Sequence, residues 1–535
     1  MFSRPSFQYF ILFAALLSPS LAKAVDEEEI QWEAISLIRH EGFNNSQLEE
    51  ILRHLTDHIG PRLTGSPALL EANNYTRDKL EEWGLENAAL EEWGPFGRGW
   101  SFSRTAVHLL EPRPTPLSAL PKAWTPGTDG PVRGEVLRVD LDSDADLDRW
   151  RGKLEGKILF LSESKNVSDP DGVEFRRYSD AELSERMIFA PPRARARSGF
   201  RDRFRRRWEF GRKLNRFLEN EGVLATVDVS SRDAGILRVG AGGSREPGES
   251  PGVSSLIMAA EHYNWVSRLL ARGETVEMEV DVAAQFHDED TMAYNTIAEI
   301  PGTDKADELV MVGAHLDSWH PSPGSNDNAA GVVVAMEAVR ILKTLGLEPR
   351  RTIRIGLWTG EEQGLLGARA YVAKHFAARP EPDDQEILKQ PSFLWPETWP
   401  IDYKPAHGKF QAYFNLDNGS GRIRGIYTQS NAALQPIFEQ WLKPFHDLEA
   451  KTVTNRNTGG TDHQAFDAYS LPGFQFIQDP LDYSSRTHHT HLDHFDHARI
   501  EDLKQASIVM AGFIYQAAMR EELLPRKPKP AEPSH

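Results

Sequence analysis

The stretch WTGEEQGLLG, residues 358–367, sets two carboxylates side by side, Glu361 and Glu362, where a strand-like run gives way to a helix-like one. Two acids this close repel unless something positive compensates them. The same situation recurs along the chain. His315 and Asp317 follow the apolar run ELVMVGA, Asp327 lies in the loop PGSNDNAAG, and Asp417 follows FQAYFNL. The histidine-rich HHTHLDH, residues 488–494, follows GFQFI and a loop. Singly these are ordinary residues: an Asp beside a helix start is usually a cap, and a lone His is usually structural. Together they bring two His-containing loops and at least four carboxylates to the ends of successive strands. Divalent cations resolve the charge conflict. Imidazole and carboxylate suit Zn²⁺, and two ions bridged by one carboxylate match this set of donors. Such a pair activates a water and polarises a carbonyl, which is hydrolytic chemistry.

The elements that must position these groups follow from the apolar pattern. Between residues 292 and 520 continuous apolar strands (ELVMVGAHL, RTIRIGLW, FQAYFNLD, GFQFI) alternate with amphipathic helices, ending in IEDLKQASIVMAGFIYQAAM. That alternation predicts an α/β domain: a mixed, largely parallel sheet flanked by helices. Functional groups then collect at the carboxyl ends of the strands. Near the N-terminus, GSPALLEANNYTRDKLEEWGL (65–85) predicts a helix with Ser66 as cap, Pro67 in the first turn and Gly84 as stop. From about 105 to 287 short strand-like runs separated by Gly, Pro and Asp predict an inserted β-rich domain. Within it, residues 193–216 carry ten Arg and one Lys against two acids. Phe200, Phe204, Trp208, Leu214, Phe217 and Leu218 form a helical apolar stripe there, expected to pack on its own domain, with contact to an anionic membrane surface as the competing reading.

With 535 residues the chain exceeds one compact core. The expected division is a signal peptide over 1–24, an N-terminal part of the catalytic domain over 25–104, the insert over 105–287, the main catalytic domain over 288–520, and a Pro-rich disordered tail over 521–535. The leader has Arg4, the apolar run FQYFILFAALL and an A-x-A-type ending at Ala24. It predicts export, with the mature protein periplasmic, secreted or extracellular. A formal charge of −18 argues against nucleic acid as a partner. The absence of cysteine excludes disulfides, thiol nucleophiles and Cys-based metal sites.

GAHLDSW, GSNDNAAG, WTGEEQGLLGA, NLDNGSG, GGTDHQAF and HHTHLDH stand in an order and spacing that resemble the M28 family of co-catalytic zinc peptidases. IGPRLTGSPALLEA looks like the opening of the same catalytic domain, and the central region resembles the protease-associated domain inserted in many members. The resemblance covers most of 45–520. It implies two Zn²⁺ per chain, short peptide substrates, and a homodimer as one oligomeric option. It also implies roles. His315 binds one zinc, with Asp317 orienting its ring. Asp327 bridges the ions, Glu362 and Asp417 bind one each, and His489 completes the set, with His488 as the alternative. Glu361 is the general base. Asp462 and His463, in GGTDHQAF, are candidate substrate contacts. Tyr483 is a candidate hydrogen-bond donor to the developing oxyanion. Two other readings use the same frame: a single-zinc, glutaminyl-cyclase-like acyltransferase, and a catalytically silent binding relative. The complete set of ligands and the base count against both. A paired-zinc peptidase of the M20 type fits the motif order less well. Amino- versus carboxypeptidase action is not legible in these residues.

Overall fold

A computed structural model describes residues 28–167, 174–190 and 197–532 of the chain. The expected signal peptide lies outside the described residues, as do residues 193–196 of the Arg-rich segment.

One eight-stranded mixed sheet carries the candidate site. Its strands run in the order Glu86–Trp93, Ala293–Ile300, Arg351–Trp358, Lys305–His315, Phe410–Asn415, Gly473–Gln478, Ile423–Tyr427, Thr452–Thr454. The four central strands, from Arg351–Trp358 to Gly473–Gln478, are parallel, and antiparallel strands extend the sheet on both sides. After Lys305–His315 the chain crosses to Arg351–Trp358 on one side and later places Phe410–Asn415 on the other. Such a reversal opens a crevice at the strands' carboxyl ends.

Central strands are buried on both faces, which explains their continuous apolar character: Val310, Met311, Val312 and Ala314 are all inaccessible. Two largely buried, predominantly apolar helices, Ala330–Thr344 and Ile500–Met519, pack against each other in the same core. The helix expected at 65–85 is Pro67–Glu82, with the Ser66 hydroxyl accepting the Leu69 N–H and Gly84 in the left-handed region.

A second eight-stranded mixed sheet is built from strands between Gly99 and His287. Its strand Gly99–Glu111 is continuous across residue 105, so the expected boundary falls inside a strand rather than before one. The reason is a shared ribbon. Trp93 pairs with Ala293 in the first sheet, and Gly99 pairs with His287 in the second, so both chain segments cross between the sheets side by side. Trp93, Phe96, Trp100, Trp124 and Ala293 form an apolar cluster at this junction, with Trp319 against it.

The Arg-rich helix runs Arg197–Asn220. Phe217 and Leu218 are buried, with Phe210 and Leu214 packed beside them, so its C-terminal half packs on its own domain. Arg212 and Arg216 pair with Glu249, and Lys213 with Asp144. Toward its N-terminal end, Arg205 donates to Gln390, across in the catalytic domain. Among the described residues no helix is long and apolar enough to cross a membrane.

The expected disordered tail is instead ordered over 521–532. Leu524 is buried, its N–H donates to Gln411, the Arg526 guanidinium donates to the carbonyls of His407 and Phe410, and Lys527 pairs with Asp467. Proline-rich composition removes helix and strand, but it does not prevent side chains from docking on a neighbouring surface.

Candidate active site

Every metal-ligating position expected from the sequence comes to one place, at the carboxyl ends of the parallel strands. His315 ends its strand. Its Nδ1 lies 3.0 Å from the backbone carbonyl of Asp317, a geometry in which Nδ1–H donates and Nε2 is left facing the crevice. The Asp317 carboxylate is 3.6 Å from the same ring and serves mainly elsewhere. It accepts the backbone N–H groups of Glu361 and Glu362 at 3.2 and 3.3 Å and the Thr64 hydroxyl at 3.0 Å. Asp317 therefore positions the paired glutamates as well as the His315 loop. Ahead of them, Gly360 adopts φ +74°, a left-handed turn that suits glycine and redirects the chain as it leaves the strand.

Asp327 sits where its loop meets the buried helix. Asp493 accepts its backbone N–H at 2.9 Å, and both the backbone and side-chain N–H groups of Asn326 at 2.8 and 3.0 Å. The Asn328 amide donates to the carbonyl of Leu416, and a side chain at Gly331 would collide with that same carbonyl, so this loop and the Asp417 loop are locked together. Beneath them Arg62 is fully buried and spends its donors on backbone carbonyls, including Leu316 at 2.8 Å and Gly324 at 3.1 Å. Neither Arg62, Thr64 nor Asp493 was picked out as a support from the sequence. Only their membership in IGPRLTGSP and HHTHLDH hinted at a place near the site.

The distances are short. His315 Nε2 lies 3.4 Å from Asp327 and 3.6 Å from Asp417, and His489 Nε2 lies 3.3 Å from Asp327 and 3.0 Å from Glu362. Donor atoms of His315, Asp327 and Asp417 all lie within 4.8 Å of one another, as do those of Asp327, His488 and His489. Asp327 belongs to both groups. His315 Nε2, Asp327 Oδ2, Glu362 Oε1, Asp417 Oδ1 and both oxygens of Asp462 are buried without a hydrogen-bond partner. Buried polar atoms normally have partners, so a cluster of orphaned acceptors around one crevice fits bound cations.

The electrostatics agree. Burial opposes a charge on His315, yet Asp417 and Glu361 outweigh it and raise its proton affinity well above normal. Burial, reinforced by Asp462 and Asp417, pushes Glu361 well up. Burial and then Asp327 do the same to Glu362. Asp327 is held low against its burial by His315 and His489. Protons thus stand in for the positive charge this site demands.

The remaining candidates are buried, within electrostatic range of the clustered carboxylates. Burial raises Asp462, with Asp317 and Asp417 adding to the effect. His463 is pushed down to about 4 by burial, its Nδ1 unpartnered, and stays neutral. Burial and the carboxylates of Asp327, Asp417 and Glu362 keep the Tyr483 phenol protonated. His488 lies against His489, ring centres 3.8 Å apart and tilted by 45°, and is pushed down to about 4 by burial and by that neighbour. Trp319 contributes a wall of the crevice beside Asp327, Glu362 and His489.

A fold of this class, with carboxylates and imidazoles converging at its switch point, is that of a metallopeptidase. Residues 295–514 match the model of peptidase family M28. Carboxypeptidase Q of Mus musculus is 26% identical over 501 residues, covering 93% of this chain and 91% of the relative. Among solved structures, a peptidase M28 precursor from Shewanella amazonensis SB2B aligns with a TM-score of 0.64 at 23% identity, over 94% of this chain and 99% of that one. A zinc aminopeptidase from Bacillus subtilis aligns with a TM-score of 0.53 at 17% identity, over 89% and 95%. These structures share the fold.

Proposed function

We propose that the chain is an exported di-zinc exopeptidase acting on short peptides. The observation that carries this is Asp327, which belongs to two overlapping groups of metal donors, each with orphaned buried atoms facing the crevice. His315, Asp417, Glu362 and His489 would hold the ions with Asp327 between them. Zinc is favoured by the mixed imidazole and carboxylate donors. When bound, the ions supply Lewis-acid polarisation of the scissile carbonyl and make a water more acidic.

The protein's own groups do the rest. Glu361, a carboxylate with raised proton affinity, takes a proton from the attacking water as oxygen bonds to the carbonyl carbon. It delivers that proton to the amide nitrogen as the C–N bond breaks. The protonated Tyr483 hydroxyl would donate to the developing oxyanion, a role supported by the influence of Asp327, Asp417 and Glu362 on it. Asp462 and His463, both within electrostatic range of Asp417, are assigned to substrate contact. The inserted sheet, in the manner of a protease-associated domain, would limit access to short chains, a reading supported by its bridge to the histidine loop at Thr490. Export rests on the leader at residues 1–24.

The test is metal stoichiometry measured beside hydrolysis of a panel of dipeptides. Two zinc ions per chain, activity lost on chelation and regained on adding Zn²⁺ are expected. A single ion with cyclisation of N-terminal glutamine would favour the acyltransferase reading, and hydrolysis indifferent to chelation would refute the proposal.

A further inference from the structure

The C-terminal tail walls a cavity against the catalytic domain. Arg526, Lys527 and Lys529 of the tail, with the turn at 403–408, line an open space of about 430 Å³. The turn leads into the strand Phe410–Asn415, so the cavity lies at the amino end of that strand. Asp417 lies past the other end, roughly 20 Å away at about 3.3 Å per residue. The cavity is therefore separate from the metal crevice.

Its lining is basic. Lys404, Arg526, Lys527 and Lys529 meet there, with His407 and Tyr403 beside them. Lys527 is neutralised by Asp467. Among the described residues no carboxylate pairs with Lys404, Arg526 or Lys529, in a chain with an excess of 18 negative charges. Their other contacts hold them without cancelling charge. The Arg526 guanidinium donates to the carbonyls of His407 and Phe410, and Lys404 donates to the carbonyl of Lys374. The Lys529 ammonium lies 3.9 Å from the centre of the Tyr403 ring. Burial lowers the proton affinity of Arg526, as expected of a cation partly removed from water. His407 is already engaged, its Nε2 donating to the Tyr469 carbonyl at 2.9 Å. Tyr403 is not: its hydroxyl is buried without a hydrogen-bond partner, and burial keeps it protonated.

Three uncompensated cations and an unused O–H donor call for a small group with more than one negative charge and several acceptors. A phosphate group carries about −1.5 to −2 charges at pH 7 and three strong acceptor oxygens, and it makes charge-assisted hydrogen bonds with both lysine and arginine. We infer that this cavity binds a phosphate group, and that the bound anion clasps the C-terminal tail to the catalytic domain. Arg526 and Lys529 belong to the tail, Lys404 and Tyr403 to the body, so the anion is shared between them. Occupancy and docking of the tail are then linked: what fills the cavity holds the tail closed.

Trypsin can cut the tail after Arg526 but not after Lys527 or Lys529, each of which precedes a proline. The Arg526–Lys527 cut, followed by mass spectrometry on the zinc-loaded full chain, therefore reports release of the tail. Digestion is compared in inorganic phosphate, in a nucleoside monophosphate, and in NaCl of equal ionic strength. At phosphate about ten times its Kd the cut should slow about tenfold relative to NaCl, in proportion to 1 + [L]/Kd. The protection should disappear in Lys404→Gln and in Lys529→Gln, neither of which alters the cleaved bond. Stronger protection by the monophosphate assigns the site to an organic phosphate, and equal or weaker protection assigns it to the free ion. Phosphate held at the metal centre would protect wild type and variants alike, so undiminished protection in either variant overturns the proposal. A cut that slows no more in phosphate than in NaCl overturns it too. Lys529→Gln, on the exposed tail, decides the matter should Lys404→Gln not fold.

Discussion

One carboxylate oxygen of Asp493 accepts the backbone N–H of Asp327 at 2.9 Å, and the other accepts the two N–H groups of Asn326. Asp493 contributes no donor to either candidate metal group. It fixes the backbone that carries Asp327, leaving the Asp327 side chain for the crevice. Asp493→Asn turns an amide N–H₂ toward N–H donors and should weaken zinc retention by 10- to 100-fold, the usual effect of removing such a support. Competition with a chromogenic chelator measures it, and unchanged affinity would show that the loop holds itself.

Glu361 and Glu362 are adjacent, share Asp317 as the acceptor of their N–H groups, and should still separate by mutation. Glu361→Gln should keep both zinc ions and lose 10²- to 10⁴-fold in kcat, the range for a general base. Glu362→Gln should lose metal. Zinc analysis beside steady-state kinetics distinguishes them, and metal loss from both would mean that the roles are not divided.

His320 joins the catalytic domain to the insert: its Nε2 lies 2.7 Å from the Pro121 carbonyl, and its ring meets Trp100 and Phe102 edge-on. Burial pushes it from 6.5 down to about 4. The unfolded chain takes up this proton near pH 6.5, the folded one only near 4, so the fold loses stability as pH falls across that window. The full effect is about 3 kcal/mol. His320→Gln keeps a donor for Pro121 and should flatten the difference between urea midpoints at pH 7 and pH 4.5. Equal slopes in variant and wild type would remove His320 from the account.

Deleting residues 523–535 removes buried Leu524 and the contacts of Arg526 and Lys527. Burial of the leucine alone contributes about 2 kcal/mol. The thermal midpoint of the shortened chain should fall measurably, whereas a disordered tail would leave it unchanged.

The strands and the candidate ligands that end them were legible because each is a local signal: a continuous apolar run, then a His, Asp or Glu at its end. His315, Asp327, Glu362, Asp417 and His489 lie far apart in sequence, but the parallel strand order gathers them without further information. What could not be read depends on contacts between distant segments. Arg62 looked like any loop arginine until its donors met the carbonyls of the 316–324 loop. Arg238 lay in an insert with no motif, and only the bridge to Thr490 brings it to the site. The tail was misjudged because composition reports on regular structure and says nothing of docking: Arg526 is held by main-chain carbonyls that no local pattern announces.

Trp93 and Ala293 are direct partners across two antiparallel strands, and everything from 94 to 292 hangs between them. Topologically the second sheet is the tip of one hairpin. Cutting it out and joining Trp93 to Ala293 through a two-residue turn would leave an ordinary edge to the catalytic sheet. The two sheets are therefore separable as pieces of a gene, although the bridge from Arg238 to Thr490 ties the insert to the histidine loop. A core stripped in this way would keep the candidate metal donors and Glu361 but would lose the strand-like contact that the insert makes with the histidine loop at Thr490.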